Sequence, residues 1–145
     1  MIKEAIVLAG GLGTRLQHIV PNLPKPMADI NGKPFLSYLF DYLIQQKIER
    51  VILSAGYKSQ AIHDFFYHQY KSLELDYALE KEPLGTGGGI KYALSFASEN
   101  TVAIFNGDTF FPVNLALIND FHKKHHSDLT IALKPLQNFD RYSEY

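Results

Sequence analysis

Short apolar runs alternate along this chain with stretches in which apolar residues recur every three or four positions. The runs predict five β-strands, because a buried parallel strand is short and almost continuously apolar. They cover residues 2–9, 51–53, 75–79, 101–105 and 129–133. The helical spacing predicts four helices, over residues 34–47, 59–70, 90–97 and 114–121. Ser59 and Asn114 suit N-cap positions, and Asn31-Gly32 predicts a tight turn. The alternation of strand and helix predicts an α/β, Rossmann-like fold, with a mostly parallel sheet and helices on both faces.

The composition is that of an ordinary globular protein, and it excludes several classes of function. Of the 145 residues, 46% are hydrophobic and 20% are charged, which suits a single domain over residues 1–145. The formal net charge of −1 gives no reason to expect nucleic acid or a membrane surface as a partner. The chain contains no cysteine, so disulfides and thiolate metal sites are excluded and a cytoplasmic location is expected. No apolar run suits a signal peptide or a membrane span.

Three of the predicted strands end in glycine-rich or polar stretches. AGGLGTRL (residues 9–16) follows the first strand, EKEPLGTGGG (80–89) the third and NGDT (106–109) the fourth. Ligands of open parallel sheets bind outside the carboxyl ends of the strands. The three stretches are therefore predicted to form one site.

The first stretch has the chemistry of a phosphate-binding turn. Glycines let the backbone approach a ligand and direct several N–H groups at it, and Arg15 and Lys25 add positive charge. The stretch is not a Walker A motif, which needs Lys followed by Ser or Thr. It is not the dinucleotide fingerprint either, because Leu16 stands where that motif has its third glycine. A nucleotide or sugar-phosphate site is predicted. The residues assigned to it from this part of the chain are Leu8, Ala9, Gly10, Gly11, Gly13, Thr14, Arg15 and Lys25.

Arg15, Lys25 and Asp108 are the candidates for catalysis. Arg15 presents a planar fork that can bind β- and γ-phosphate oxygens in bidentate fashion. Lys25 lies between Pro24 and Pro26, which both fix φ, so its charge would be held in place near an α-phosphate. Asp108 follows a strand end, where a carboxylate can hold Mg²⁺ close to phosphates.

The strings AGGLGTRL and PKPM (24–27) resemble the signature of the sugar nucleotidyltransferases, which join a nucleoside triphosphate to a sugar 1-phosphate. The resemblance implies the nucleotide-diphospho-sugar transferase fold, with Mg²⁺ as cofactor and Asp108 as its ligand. It also implies nucleotide contacts by Pro83, Gly85, Thr86 and Gly107. The resemblance runs through the N-terminal, nucleotide-binding part of that fold, so the chain is expected to be truncated, with its C-terminal part absent. Assembly into a homo-oligomer would be one way to cover the truncated sheet.

The second glycine-rich stretch indicates which base is bound. Family members with a glutamine near the position of Glu80 use it to read uracil. A carboxylate only accepts hydrogen bonds, and guanine offers adjacent donors at N1 and at its exocyclic amine. Uracil offers a single ring N–H between two carbonyls, which a carboxylate would repel. GTP is therefore favoured, with Glu80 as the reader and Glu82 as the alternative.

The strings EKEPLGTGG, NGDTFF and FDRY (139–142) look like those of the bacterial D-glycero-α-D-manno-heptose 1-phosphate guanylyltransferases. This resemblance implies GTP and that sugar 1-phosphate as substrates, with a GDP-sugar and pyrophosphate as products. Mannose 1-phosphate guanylyltransferases and UTP-dependent uridylyltransferases remain alternatives. Two alternatives belong to another class: a nucleotide-binding module without catalysis, and a fragment that assembles with a partner or with itself.

Overall fold

The computed structural model describes residues 1–10, 23–56 and 58–135. The predicted site residues Gly11, Gly13, Thr14 and Arg15, and the FDRY string, lie outside them. The strands are β1 (Glu4–Leu8), β2 (Asp29–Ile30), β3 (Lys33–Pro34), β4 (Arg50–Ala55), β5 (Gln69–Tyr70), β6 (Leu73–Leu79) and β7 (Val102–Asn106). The helices are α1 (Phe35–Gln45), α2 (Ser59–Phe66), α3 (Gly85–Leu94) and α4 (Leu115–Lys124), with a 3₁₀ turn at Lys25–Met27.

The main sheet has five strands in the order β5-β6-β4-β1-β7. Every neighbouring pair is parallel except β5 and β6, which are antiparallel. The interior strand β1 is buried on both faces, and Ala5, Ile6 and Val7 are fully inaccessible to solvent. This burial explains why its sequence is continuously apolar. The mostly parallel sheet of the sequence analysis is confirmed.

Helices cover both faces of this sheet, also as predicted. On one face, the larger core cluster joins side chains of α1, α2 and α4, such as Phe40, Ile62 and Leu115, to Val7 and Leu53 of the strands. On the other face, Ala93 of α3 packs in a smaller cluster. Its partners are Ile6, Ile52 and Ala78. The described part of the chain includes no helix with the length and apolar character needed to cross a bilayer.

Glu4 is a buried carboxylate at the start of β1, only 3% exposed. It accepts hydrogen bonds from the Ser98 and Glu99 N–H groups, each at 2.9 Å, and from the Ser98 hydroxyl at 2.6 Å. Arg50 of β4 donates to Glu4 at 2.6 Å and to Asp76 of β6 at 2.8 Å. Burial alone would raise the pKa of Glu4, but the hydrogen bonds from Ser98, Glu99 and Arg50 outweigh it and lower the pKa to about 2. The cluster therefore ties three strands together at the end of the sheet where they begin.

The predicted turn at Asn31-Gly32 and one of the two predicted helix caps are confirmed. Asn31 and Gly32 both have positive φ, 52° and 80°, and connect β2 to β3. This is the geometry that Asn-Gly favours in a two-residue hairpin. Asn114 caps α4, because its side chain accepts a hydrogen bond from the Leu117 N–H at 3.1 Å.

Other predicted helix boundaries were wrong. Ser59 is not an N-cap but the first residue of α2, and the cap is Lys58 in a left-handed conformation. That helix ends at Phe66, and Tyr70 belongs instead to β5. Helix α3 begins at Gly85, five residues before the predicted start, so the second glycine-rich stretch is partly helical rather than a loop.

The fifth predicted strand, residues 129–133, is also wrong, because the structure has no strand there. Its alternating apolar side chains, Leu129, Ile131 and Leu133, are 66–68% exposed. A strand requires a neighbour for its backbone groups, and among the described residues the edge strand β7 pairs only with β1. Residues 129–133 therefore have no neighbouring strand in the part of the chain that the structure describes.

Candidate functional site

A cavity of about 740 Å³ opens where the parallel strands end. Leu8 of β1, Ser54 of β4, Glu80 after β6 and Asn106 of β7 all line it. Its volume is within the range typical of small-molecule sites. The sequence predicted a site at this end of the sheet, and the structure brings the relevant segments together there.

Most of the predicted site residues that the structure describes lie in the wall of this cavity. They are Leu8, Ala9, Gly10, Lys25, Glu80, Pro83, Gly85, Thr86 and Asp108. Glu82, the alternative base reader, lines it as well. Gly107 does not line it and is buried beneath it.

The strand ends are held in register by hydrogen bonds that continue one residue past the strands. Ala9 N–H donates to Ser54 C=O at 2.8 Å, and Gly107 N–H donates to Leu8 C=O at 2.9 Å. Glu80 N–H donates to Ala55 C=O at 2.9 Å. Residues that leave the sheet at these points therefore start from fixed positions.

Gly107 explains how Lys25 reaches the end of β7. A β-carbon at Gly107 would lie 2.9 Å from the Leu8 carbonyl oxygen and 3.3 Å from Cγ of Pro26. Only glycine leaves room for β1 and the Lys25–Met27 turn to pack so closely. Pro26 and Met27 are themselves buried, so the turn is anchored to the core next to Lys25. The glycine in NGDT thus has a packing role, which the sequence analysis had not assigned to it.

Lys25 and Asp108 form an ion pair in the cavity wall. Lys25 Nζ lies 3.5 Å from Asp108 Oδ2, and the two side chains are 30% and 40% exposed. The Thr109 hydroxyl donates to the other Asp108 oxygen at 3.3 Å. Two of the three predicted catalytic residues are therefore in contact, although 82 positions separate them in the sequence.

Helix α1 holds the segment that follows Asp108. The Tyr42 hydroxyl donates to the Val113 carbonyl and accepts from the Val113 N–H at 2.8 Å. The Tyr42 ring also packs edge-on against Phe110, with ring centroids 5.4 Å apart. These contacts fix the polypeptide on the C-terminal side of Asp108, as Gly107 does on its N-terminal side.

The first turn of α3 faces the cavity with Gly85 and Thr86. Gly85 has a φ of 69°, a value that glycine adopts without strain. The first N–H groups of a helix have no partner within it, so they are free to bind acceptors of a ligand. The predicted backbone contact of this stretch with a ligand would thus come from the start of a helix rather than from a loop.

Sequence reasoning missed Ser54, Gly56 and Gly89, all of which line the cavity. Ser54 lies next to the last residue of β4 and Gly56 follows that strand, just as Ala9 and Gly10 follow β1, so the rule about strand ends could have found them. Gly89 lies inside the glycine-rich stretch but was not selected. Glycine is required there because of a side chain that lies close in space, since a β-carbon at position 89 would lie 2.7 Å from Oε1 of Glu80.

Asp108 is the residue that was predicted to bind a metal ion. The described residues contain no group of three or more His, Asp or Glu side chains that could hold one without a ligand. Mg²⁺ is commonly bound by one or two carboxylates together with the phosphates of a substrate. A single half-exposed carboxylate next to a lysine, in a cavity, suits an ion that binds along with phosphates.

Comparison with known proteins gives matches within one family. A family model described as nucleotidyl transferase matches residues 4–143. The chain is 51% identical to the D-glycero-alpha-D-manno-heptose 1-phosphate guanylyltransferase of Aneurinibacillus thermoaerophilus and 47% identical to that of Campylobacter jejuni, over 96% of its length in both cases. It spans 60% and 61% of the length of these two relatives.

A solved structure supports the same grouping. The crystal structure of HddC from Yersinia pseudotuberculosis, complexed with GMP-PN, superposes with a TM-score of 0.75 at 40% identity. The match covers 83% of this chain and 54% of that one. The sheet order, the cavity at the strand ends and these matches agree with each other. The chain belongs to the nucleotidyl transferase family.

Proposed function

We propose that this chain carries the nucleotide-binding part of a sugar-1-phosphate guanylyltransferase. Its substrates would be GTP and a sugar 1-phosphate, with D-glycero-α-D-manno-heptose 1-phosphate as the preferred sugar, and its products a GDP-sugar and pyrophosphate. The observation that carries the proposal is the meeting of Lys25, Asp108 and Glu80 in one cavity at the strand ends. The guanylyltransferase names of the two relatives support the choice of GTP and of the sugar.

In this reaction, an oxygen of the sugar phosphate attacks the α-phosphorus of GTP. A new P–O bond forms there while the bond from the α-phosphorus to the bridging oxygen breaks, and that oxygen leaves with pyrophosphate. The attacking phosphate oxygen is already anionic, so no general base is required. The protein has to position the two phosphates and offset their charge.

Lys25 would lie against the α-phosphate, since its turn is anchored by buried Pro26 and Met27 and its ammonium group faces the cavity. Asp108 would hold a divalent metal ion, which we propose is Mg²⁺. The ion would offset the charge that develops on the phosphate oxygens. Arg15, outside the described residues, is proposed to bind the β- and γ-phosphates.

Glu80 is proposed to read the guanine base. Its carboxylate lies in the cavity wall, close to the first turn of α3. Guanine has donors at N1 and at its exocyclic amine, and two carboxylate oxygens can accept from both. Gly85 and Thr86, at the start of α3, would contribute backbone contacts to the same nucleotide.

The test is calorimetric titration of the full chain with GTP, UTP, CTP and ATP in the presence of Mg²⁺, followed by an assay of pyrophosphate release with the heptose 1-phosphate. We expect selective binding of GTP. Asp108→Asn should lower the rate of pyrophosphate release by roughly 100-fold or more, because it removes the metal-binding charge. Asp120→Asn is the matched control, since Asp120 is exposed on α4 and lies outside the cavity wall.

Three results would count against parts of the proposal. Preference for UTP would refute the guanine assignment but keep the family. Wild-type rates in Asp108→Asn would refute the role of that carboxylate. Binding of GTP without any pyrophosphate release would favour a nucleotide-binding module for the chain as it stands.

A further inference from the structure

Both oxygens of the Glu80 carboxylate already accept a hydrogen bond from the protein. The Ser54 hydroxyl donates to Oε1 at 2.9 Å, and the Leu84 N–H donates to Oε2 at 3.2 Å. Each carboxylate oxygen can accept a second bond, so the described residues leave one acceptor position open on each oxygen. The two protein donors fix the direction in which those positions point.

The space around the carboxylate is closed on the protein side. A β-carbon at Gly89 would lie 2.7 Å from Glu80 Oε1 and 3.0 Å from the Ser54 hydroxyl, and one at Gly10 would lie 3.5 Å from the same Oε1. Glycine is therefore required at position 89 for the carboxylate to fit, and Gly10 lies close enough to contact it. The carboxylate has little freedom to rotate within this enclosure.

Ser54 is a polar residue in an otherwise apolar part of β4. It is 2% exposed, and its neighbours in β4, Leu53 and Ala55, are fully buried apolar residues. A buried hydroxyl requires a partner, and among the described residues Ser54 has Glu80. A small apolar residue would satisfy the packing of the strand but would leave Oε1 without its donor.

We propose that Ser54 is a positioning residue for base recognition, which fixes the Glu80 carboxylate so that it can accept from both N1 and the exocyclic amine of guanine. This inference rests on the proposed function, in which Glu80 reads the base. Pairing with two donors on one rigid edge requires both oxygens to lie in the plane of the base. If the carboxylate rotates out of that plane, at least one of the two hydrogen bonds to the base weakens. The loss of affinity is then larger for guanine, which offers two donors, than for a base that offers one.

The experiment compares GTP with inosine triphosphate, which keeps the N1–H of guanine and lacks the exocyclic amine. Dissociation constants are measured by calorimetry on the full chain in the presence of Mg²⁺, for the wild type, Ser54→Ala, Glu80→Gln and the double variant. We expect Ser54→Ala to reduce the preference for GTP over inosine triphosphate by roughly tenfold, the size of one hydrogen bond to a charged group. In the Glu80→Gln background, Ser54→Ala should cause no further loss of preference.

Ser37→Ala is the matched control, because Ser37 is another buried serine, 3% exposed, and lies in α1 away from the cavity wall. It should leave the preference unchanged. Ser54→Cys keeps a side chain of similar shape with a weaker donor, and its preference should fall between serine and alanine. This variant maintains the test if Ser54→Ala does not fold.

Different results separate this inference from the proposed function. If Glu80→Gln abolishes the preference and Ser54→Ala lowers only the melting temperature, Ser54 is structural and the inference is refuted while guanine reading by Glu80 stands. If the wild type binds GTP, inosine triphosphate and UTP equally, guanine reading fails and the inference fails with it.

Discussion

The ion pair between Lys25 and Asp108 predicts that removing the lysine will strengthen the binding of one ligand while it weakens the binding of another. In the absence of nucleotide, each of these groups offsets the charge of the other across 3.5 Å. A divalent metal ion that binds Asp108 has to displace Lys25 or share the carboxylate with it. Replacing Lys25 by glutamine should therefore increase the affinity of the nucleotide-free protein for the metal, although it weakens the binding of GTP.

The size of this gain follows from the exposure of the pair. At 3.5 Å, two unit charges in water interact by about 1 kcal/mol, and exposed ion pairs contribute up to about the same amount. Both side chains are partly open to solvent, at 30% and 40%, so the low end of the electrostatic range applies. A gain of about 1 kcal/mol corresponds to a metal dissociation constant that is roughly fivefold lower.

Manganese is a suitable probe because the free ion can be counted by electron paramagnetic resonance. The full chain and its Lys25→Gln variant would be titrated with Mn²⁺, first alone and then with saturating GTP. Lys81→Gln is the matched control, since Lys81 lines the same cavity while the ion pair of Asp108 is with Lys25. An unchanged or weaker affinity for Mn²⁺ in Lys25→Gln without nucleotide would refute the reasoning, as would an equal gain in Lys81→Gln.

Two further expectations concern stability. The pKa of Glu4 is about 2 in the folded protein and 4.5 ordinarily, so its stabilising contribution is complete above about pH 4.5 and is lost as the pH falls towards 2. At about 1.4 kcal/mol per pH unit, it amounts to about 3 kcal/mol. In urea unfolding, Glu4→Gln should lower the free energy of unfolding by that much at pH 7 and by progressively less in acid. Glu49→Gln, at an exposed position, should change it little. Parallel pH profiles for Glu4→Gln and the wild type would contradict this expectation. Asn114→Ala should cost about 1 kcal/mol by loss of the cap on α4, and Asn114→Asp should retain most of it; equal losses in both variants would argue against a capping role.

The sequence was sufficient to predict which end of the sheet carries the candidate site. Parallel strands are short apolar runs, and the residues that follow each run must emerge at the same edge, so Gly10, Glu80 and Asp108 could be grouped without coordinates. The same rule would have found Ser54, had it been applied to the end of β4. The local sequence was also sufficient where the structure depends on backbone conformation alone, as in the turn at Asn31-Gly32.

Sequence reasoning failed where a residue's role depends on a neighbour in space. Residues 129–133 have the alternation of a strand, but a strand exists only if another strand offers its backbone, and no pattern within five residues carries that information. The hairpin that joins β5 to β6 was missed for a related reason: Tyr70 continued the helical spacing of α2, and the antiparallel pairing of Gln69 and Tyr70 with β6 outweighed that spacing.

The glycines show most clearly why one letter cannot be assigned one role. Sequence reasoning gave those at the strand ends a common purpose, which was to bring the backbone close to a ligand. Around Gly85 a β-carbon would meet nothing within 4 Å, and its positive φ explains why glycine is there. At Gly107 and Gly89 a β-carbon would collide with Leu8 or with Glu80, so these glycines make room for other parts of the protein. The second kind holds Lys25 and Glu80 in position, and a site read from sequence alone therefore contains both the residues that would face the ligand and those that support them.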